Sequence, residues 1–253
     1  PLILSLMSLL EWLSYHSAHH VIALSPGIAE GIAKRGVALD KISLVPNGCD
    51  LDIFDTKVNG WRPSSISDTD LLVLFAGTHG MANGLDSVLN AAFELKLRGR
   101  SDIKFLLIGD GKLKKSLQDR SISEGLDNVV FHDPVDKKKL AGLMSRTDVG
   151  LQILANFPVF YYGTSPNKFF DYISASVPVL NNYPGWLAEI IEDNKCGYAV
   201  PPEKPKLFVD ALEDAYNDSD KIKSMSINAR KLAESNFDRK QLARNWVDWV
   251  VEE

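Results

Sequence analysis

Short apolar runs alternate with helical stripes along most of this chain, and that alternation limits the fold more than any other feature. Leu71-Leu-Val-Leu-Phe-Ala76 is apolar without a break, which predicts a strand covered on both faces. Further strands are expected at 20–24, 42–45, 104–108, 128–131, 148–154, 177–180 and 197–200. Leu85, Val88, Leu89, Ala92 and Leu95 share one face of an intervening helix, and similar stripes fill the other gaps. Strands separated by helices imply right-handed crossovers and a parallel sheet. The expected class is α/β: a Rossmann-like parallel sheet with helices on both faces, plus a partial second α/β lobe. Ligands bind beyond the carboxyl ends of such strands. The loops 77–84, 109–111, 131–135 and 155–165 all fall at that edge.

Composition narrows the partners. The 253 residues carry 28 Lys plus Arg against 33 Asp plus Glu, a net charge of −5. That argues against a general nucleic-acid binder, which usually shows a basic excess. Cys49 and Cys196 lie far apart with no ligand spacing around them; they read as free buried thiols in a reducing compartment. No apolar run reaches the about 18 residues that span a bilayer. Leu6, Leu9, Leu10 and Leu13 predict a helix, read as a core helix because its polar face has no Lys or Arg for a membrane surface. Asn47-Gly48 marks a turn. Asp68-Thr69-Asp70 resembles a metal-binding pair but precedes a strand, at the edge away from the cleft, and no metal is expected.

The most informative stretch is Gly163-Thr-Ser-Pro-Asn-Lys-Phe-Phe-Asp-Tyr172. Ser165 is a good N-cap and Pro166 suits the first helical position. The free amides of that turn, around Asn167, favour an anion. Lys168 sits where its charge opposes the helix, so its position points to a ligand. Asp171 is three residues on, on the same face. A cation for phosphate followed by a carboxylate for sugar hydroxyls makes a nucleotide clamp. Gly77, Gly80 and Gly84, with Thr78, His79 and Asn83 between them, fit a plain strand-to-helix turn, and also let backbone approach a phosphate closely. His79 is placed to reach a phosphate or sugar oxygen. The strand-end segment from His132 to Val135 is placed to read a base through backbone groups. No G-x-G-x-x-G or Walker pattern occurs, which argues against a nicotinamide enzyme.

The ordered set Val21–Ser25, Val45-Pro-Asn-Gly-Cys-Asp50, Leu74–Thr78, Leu107-Ile-Gly-Asp-Gly111, Asn128–Phe131, Ala141 to Asp148 and Ser165–Tyr172 resembles the group-one, retaining nucleotide-sugar glycosyltransferases of the two-lobed GT-B architecture. The Ser-Pro-Asn-Lys run is similar to enzymes of bacterial capsule, O-antigen and exopolysaccharide assembly. The resemblance implies a nucleotide-sugar donor, a UDP-sugar ahead of a GDP-sugar, and a glycan or lipid-linked acceptor. It implies that Asp171 holds the ribose hydroxyls. The family's first acidic position falls on Gly163. Thr78 or His79 and Asn83 stand near the places of the family's Arg and Lys, and Lys168 replaces the lost charge. Catalytic roles fall to Lys168 and His79. Donor binding falls to Gly77, Thr78, Gly80, Asn83, Ser165, Asn167, Asp171, His132 and Val135. Residues 1–46 read as a remnant of the acceptor lobe, 47–66 as a linker, 67–235 as the nucleotide-sugar lobe and 236–253 as a helix packing back on the first lobe. The chain then belongs in the cytoplasm, with peripheral membrane contact at the inner face, and a separate N-terminal lobe is a candidate partner. A non-catalytic donor-binding lobe and a GT-B sugar-nucleotide epimerase are the rival readings.

Overall fold

The computed structural model describes residues 2–54 and 58–251. Residue 1 of the expected first lobe, residues 55–57 of the expected linker and residues 252–253 of the expected last helix lie outside the described residues. Among the described residues, β3 (Leu71–Ala76), β4 (Ile103–Ile108), β5 (Val129–His132), β6 (Val149–Gln152), β7 (Val179–Asn181) and β8 (Gly197–Ala199) form a six-stranded sheet in the order β5-β4-β3-β6-β7-β8. Every pairing is parallel. The order turns back between β3 and β6, which opens a crevice at their carboxyl ends.

Period-two alternation along the strands sorts the core into two layers. Leu71, Val73 and Phe75 meet α3 (Asp86–Leu97), α4 (Lys114–Ser123) and α8 (Pro205–Asn217) through Val88, Leu89, Leu117 and Phe208. Leu72 and Leu74 meet the other layer, built from α5 (Lys137–Met144), α6 (Asn167–Ser174), α7 (Trp186–Asp193) and α9 (Ser219–Asn236). Burying each large side chain contributes roughly 1.5–3 kcal/mol, and both sides of β3 collect that gain. The unbroken apolar run is therefore what a central strand needs.

One contact sets α6 against this sheet. Tyr172 is fully buried. Its hydroxyl donates to Leu74 O at 3.0 Å and accepts from Ala76 N at 3.2 Å, so α6 is tied to the end of β3. Gly150 on β6 makes room, because a Cβ there would stand 2.5 Å from the Tyr172 ring.

Before the large sheet, β1 (Val21–Ala23) and β2 (Ile42–Leu44) pair in parallel, with α2 (Pro26–Lys34) between them. Ser25 caps α2 by accepting from Ile28 N at 3.3 Å, and Pro26 opens the helix. Val21, Ala23, Ile32 and Val37 form a separate small core. α10 (Arg239–Val251) returns towards this unit. Cys49 N donates to Phe237 O at 2.6 Å and Arg239 N to Cys49 O at 3.2 Å, and Trp249 packs its ring against His20 at 4.5 Å.

Two expectations are corrected here. Asn47-Gly48 forms no turn; it runs on as an irregular connector. The glycine instead admits α10, since a Cβ at Gly48 would lie 2.9 Å from Arg239 Cα. The first helix, α1 (Leu2–Ser17), forms as expected but is not a core helix, because it has no buried residue. The two-stranded sheet beside it offers little surface, and its ties include the Glu11–Arg35 ion pair at 2.7 Å and Tyr15 against the small core. Among the described residues, no helix is long and apolar enough to cross a membrane.

Candidate active site

The glycine loop after β3 and the loop after β4 clasp each other. Gly77 N donates to Ile108 O at 2.9 Å, His79 N to Asp110 O at 2.8 Å and Leu113 N to His79 O at 2.9 Å. Gly109 has φ +148°, and a Cβ there would stand 1.9 Å from Gly77 O; only glycine lets the two loops come this close. Gly84 ends the loop in the left-handed region at φ +56°, pressed against Ala155 N. The Gly77 and His79 amides are thus engaged inside the protein.

Beside this clasp is a cavity of about 400 Å³, lined among others by Gly77, Thr78, Asp110, Pro134, Val135 and Leu140. Lys168 adjoins it at Gly77, where its Cε would be 3.5 Å from an added Cβ. Its ammonium donates to Asn83 Oδ1 at 2.7 Å and stands 4.4 Å over the Phe75 ring. Asn83 Nδ2 in turn donates to Thr78 O at 2.8 Å. One chain of contacts therefore runs from α6 through Lys168 and Asn83 to the glycine loop. Burial lowers the Lys168 pKa to about 8, which is the electrostatic cost of holding a cation here without an anion. A hollow of about 570 Å³ borders the far end of the glycine loop, lined among others by Met81, Gly84, Phe157 and Asn182, and one of about 550 Å³ lies against α4.

α6 begins differently from the sequence expectation. Pro166 occupies the N-cap position and no side chain caps the helix. Ser165 faces outward to a distant partner: its Oγ accepts from Asn47 N at 3.1 Å and its carbonyl from Asn47 Nδ2 at 2.5 Å. The hydroxyl is thus engaged across 118 residues of chain instead of closing its own helix. Asn167 is exposed at the first turn, and its amide and that of Lys168 precede any acceptor within the helix.

Asp171 lies one turn along, largely covered, with Lys137 Nζ 3.6 Å from its Oδ1. Burial raises its pKa, Lys137 opposes that rise and Asp50 adds to it. His79 is fully buried between Phe75 and Phe131, and neither ring nitrogen has a hydrogen-bond partner. Burial, aided by Lys114, holds its pKa below the ordinary histidine value, so the ring is neutral and enclosed. Gly80 opens the short turn Met81–Asn83. His132 ends β5 with its carbonyl accepting from Gly109 N at 3.2 Å and Nδ1 donating to Asp133 O at 2.7 Å. Its backbone oxygen is therefore engaged within the sheet, while Val135 does line the cavity. Sequence reasoning gave no role here to Asn47, Asp50 or Lys137, nor to Tyr172, which closes the Ser165–Tyr172 motif. Asn47 and Asp50 belong to the Val45–Asp50 motif, which was their one signal. Asp68 and Asp70 stand before β3 as solvent-facing groups, Asp68 paired with Arg146 at 2.6 Å.

Known proteins share the family and the fold of this chain. The family described as "Glycosyl transferases group 1" matches residues 60–232. A D-inositol 3-phosphate glycosyltransferase of Paenarthrobacter aurescens is 28% identical over 230 residues, covering 86% of this chain and 54% of that protein. The solved structure of Anabaena Alr3699/HepE in complex with UDP superposes with a TM-score of 0.77 at 17% identity, over 93% of this chain and 64% of that one. WaaG, a glycosyltransferase involved in lipopolysaccharide biosynthesis, superposes at 0.70 with 20% identity, over 92% and 62%. The chain thus spans between about half and two thirds of the length of these proteins.

Proposed function

This chain belongs to the group 1 glycosyl transferases, and on that premise we propose that it carries the donor site of an enzyme moving a sugar from a nucleoside-diphosphate sugar to a glycan or lipid-linked acceptor, with retained anomeric configuration. The observation that carries the reading is Lys168. It is a half-buried ammonium at the start of α6, bonded to the glycine loop through Asn83 and adjoining the cavity at the ends of β3, β4 and β5. A UDP-sugar is the favoured donor, supported by the UDP complex of the HepE structure. Bacterial surface polysaccharide assembly is the favoured setting, supported by the Ser165–Lys168 resemblance and the WaaG likeness. Two free, buried cysteines suit the cytoplasm.

In this reading the base lies against Val135 and Leu140, Asp171 accepts from the ribose hydroxyls, and the diphosphate meets Lys168 with the amides of Thr78, Gly80, Asn167 and Lys168. Departure of the diphosphate builds negative charge on its oxygens. Donors already aimed there lower the barrier, and losing one typically costs about 10²–10³ in rate. Residue 163 is a glycine, so the family's first acidic position offers no carboxylate towards the sugar, unlike the paired acids of retaining hydrolases. Front-face attack, with the phosphate taking the acceptor proton, fits that pattern. His79 has no donor contact in this scheme; its ring fills the space beneath the loop and shapes it from below.

Calorimetry with UDP, followed by a transfer assay with acceptor, separates a catalyst from a donor-binding lobe. Lys168→Ala should fold normally and weaken UDP binding by about 10–100-fold, the loss expected for a charge-assisted hydrogen bond. Unchanged UDP affinity and turnover would remove the phosphate assignment.

A further inference from the structure

Asp171 is embedded in more charge than a ribose contact requires. Lys137 of α5 places its ammonium 2.5 Å from Asp50 Oδ2 and 3.6 Å from Asp171 Oδ1. Asp50, on the connector after β2, also takes Arg239 Nε of α10 at 2.7 Å. The Phe54 ring lies 5.5 Å from the Lys137 ammonium and limits where it can swing. Four charges from four separate segments meet here, and Cys49 beside them stays neutral because burial pushes its thiol up to about 12.

Two carboxylates close together in a half-covered place disfavour each other's charge, and a cation between them offsets that. The two acids are affected unequally. Burial raises Asp50, but the Lys137 hydrogen bond and charge, with Arg239, bring it below the ordinary carboxylate value. Asp171 remains above that value even with Lys137 present. Only an ionised carboxylate accepts from both hydroxyls of a ribose diol with either oxygen; a protonated one gives up part of that capacity.

We infer that Lys137 is a positioning residue for the donor: it keeps Asp171 an ionised, fixed double acceptor, while Asp50 anchors the ammonium from the other side. The inference rests on the ribose assignment of Asp171. Lys137 touches no reacting atom; it acts through the acid.

The test is UDP binding by the full chain, measured calorimetrically from pH 5 to pH 8 on the parent, Lys137→Met, Lys137→Arg, Asp171→Asn and the double variant Asp171→Asn/Lys137→Met. Removing the ammonium raises the Asp171 pKa further. Lys137→Met should therefore bind UDP more weakly, by up to roughly tenfold towards the acid end of the range, a coupling typical of charged neighbours. Its affinity should begin to fall at a higher pH than the parent's as the solution is acidified. Lys137→Arg should restore most of the binding, and the second substitution should add nothing once Asp171 is neutral. Parent-like affinity in Lys137→Met at every pH, with Asp171→Asn weakened, would overturn the role of Lys137 alone. A loss in Lys137→Met that persists undiminished in the Asp171→Asn background would do the same, because it would then not act through the acid. Parent-like affinity in Asp171→Asn would instead overturn the ribose assignment beneath it.

Discussion

α1 and α6 treat apolar and charged side chains in opposite ways. Every large apolar residue of α1 from Leu2 to Leu13 is exposed, and its ties to the rest of the chain include one exposed ion pair. α6 is half as long, yet Phe169, Phe170, Tyr172 and Ile173 are buried and even Lys168 and Asp171 are partly covered. Sequence composition ranks the two helices the other way round. The difference lies in the surface each one meets: α6 lies on the face of a six-stranded sheet and α1 beside two short strands. Burial follows the area a neighbour offers, and a charge held under such cover is better evidence of a ligand than an apolar stripe is of a core.

The contrast can be broken most directly at Gly150. Gly150→Val puts side-chain atoms where the Tyr172 ring stands and should destabilise the chain by about 3 kcal/mol or more, as overpacking at a filled site does. A urea midpoint close to the parent's would show that α6 is not fixed by this contact. A smaller effect sharpens the electrostatic half. Lys168 binds an anion as its protonated form, and burial lowers its pKa to about 8. UDP affinity should therefore be level between about neutrality and pH 8 and fall as pH rises beyond it, by up to about tenfold, or 1.4 kcal/mol, per unit. Lys168→Met should abolish that slope; a slope unchanged in this variant would assign the pH dependence to another group. The smallest effect belongs to α1. Leu6→Ser and Leu10→Ser should each shift stability by no more than about 0.5 kcal/mol, as exposed positions do. A loss several times larger in thermal unfolding would mean that these side chains are covered in solution, and the contrast would fail.

Local sequence carried the sheet well, because its signals are local. The run 71–76 matches β3 residue for residue, and the other strands differ from their expected spans by a residue or a few at their ends. The cap at Ser25 also formed, since it needs only the next three residues. Ser165 has the same chemistry and did something else, because Asn47 reached it from 118 positions away. No period or spacing encodes that meeting. Lys137 was hidden for the same reason: within its own helix it is one of three consecutive lysines, and only the fold brings Asp50 and Asp171 to it. His79 shows the reverse error. A histidine in a glycine loop reads as a ligand contact, but the clasp with the loop after β4 turns the ring inward between two phenylalanines.

Where the chain leaves β2 and where it comes back into α10, the two passing segments are joined at Cys49, whose sulfur is enclosed against Phe170 O. A thiol reacts as its thiolate, and this one is both sealed and strongly protonated at neutral pH. Alkylating reagents can therefore reach it only when that seam parts, which makes a residue outside the proposed donor site a natural clock for how often the two passes separate.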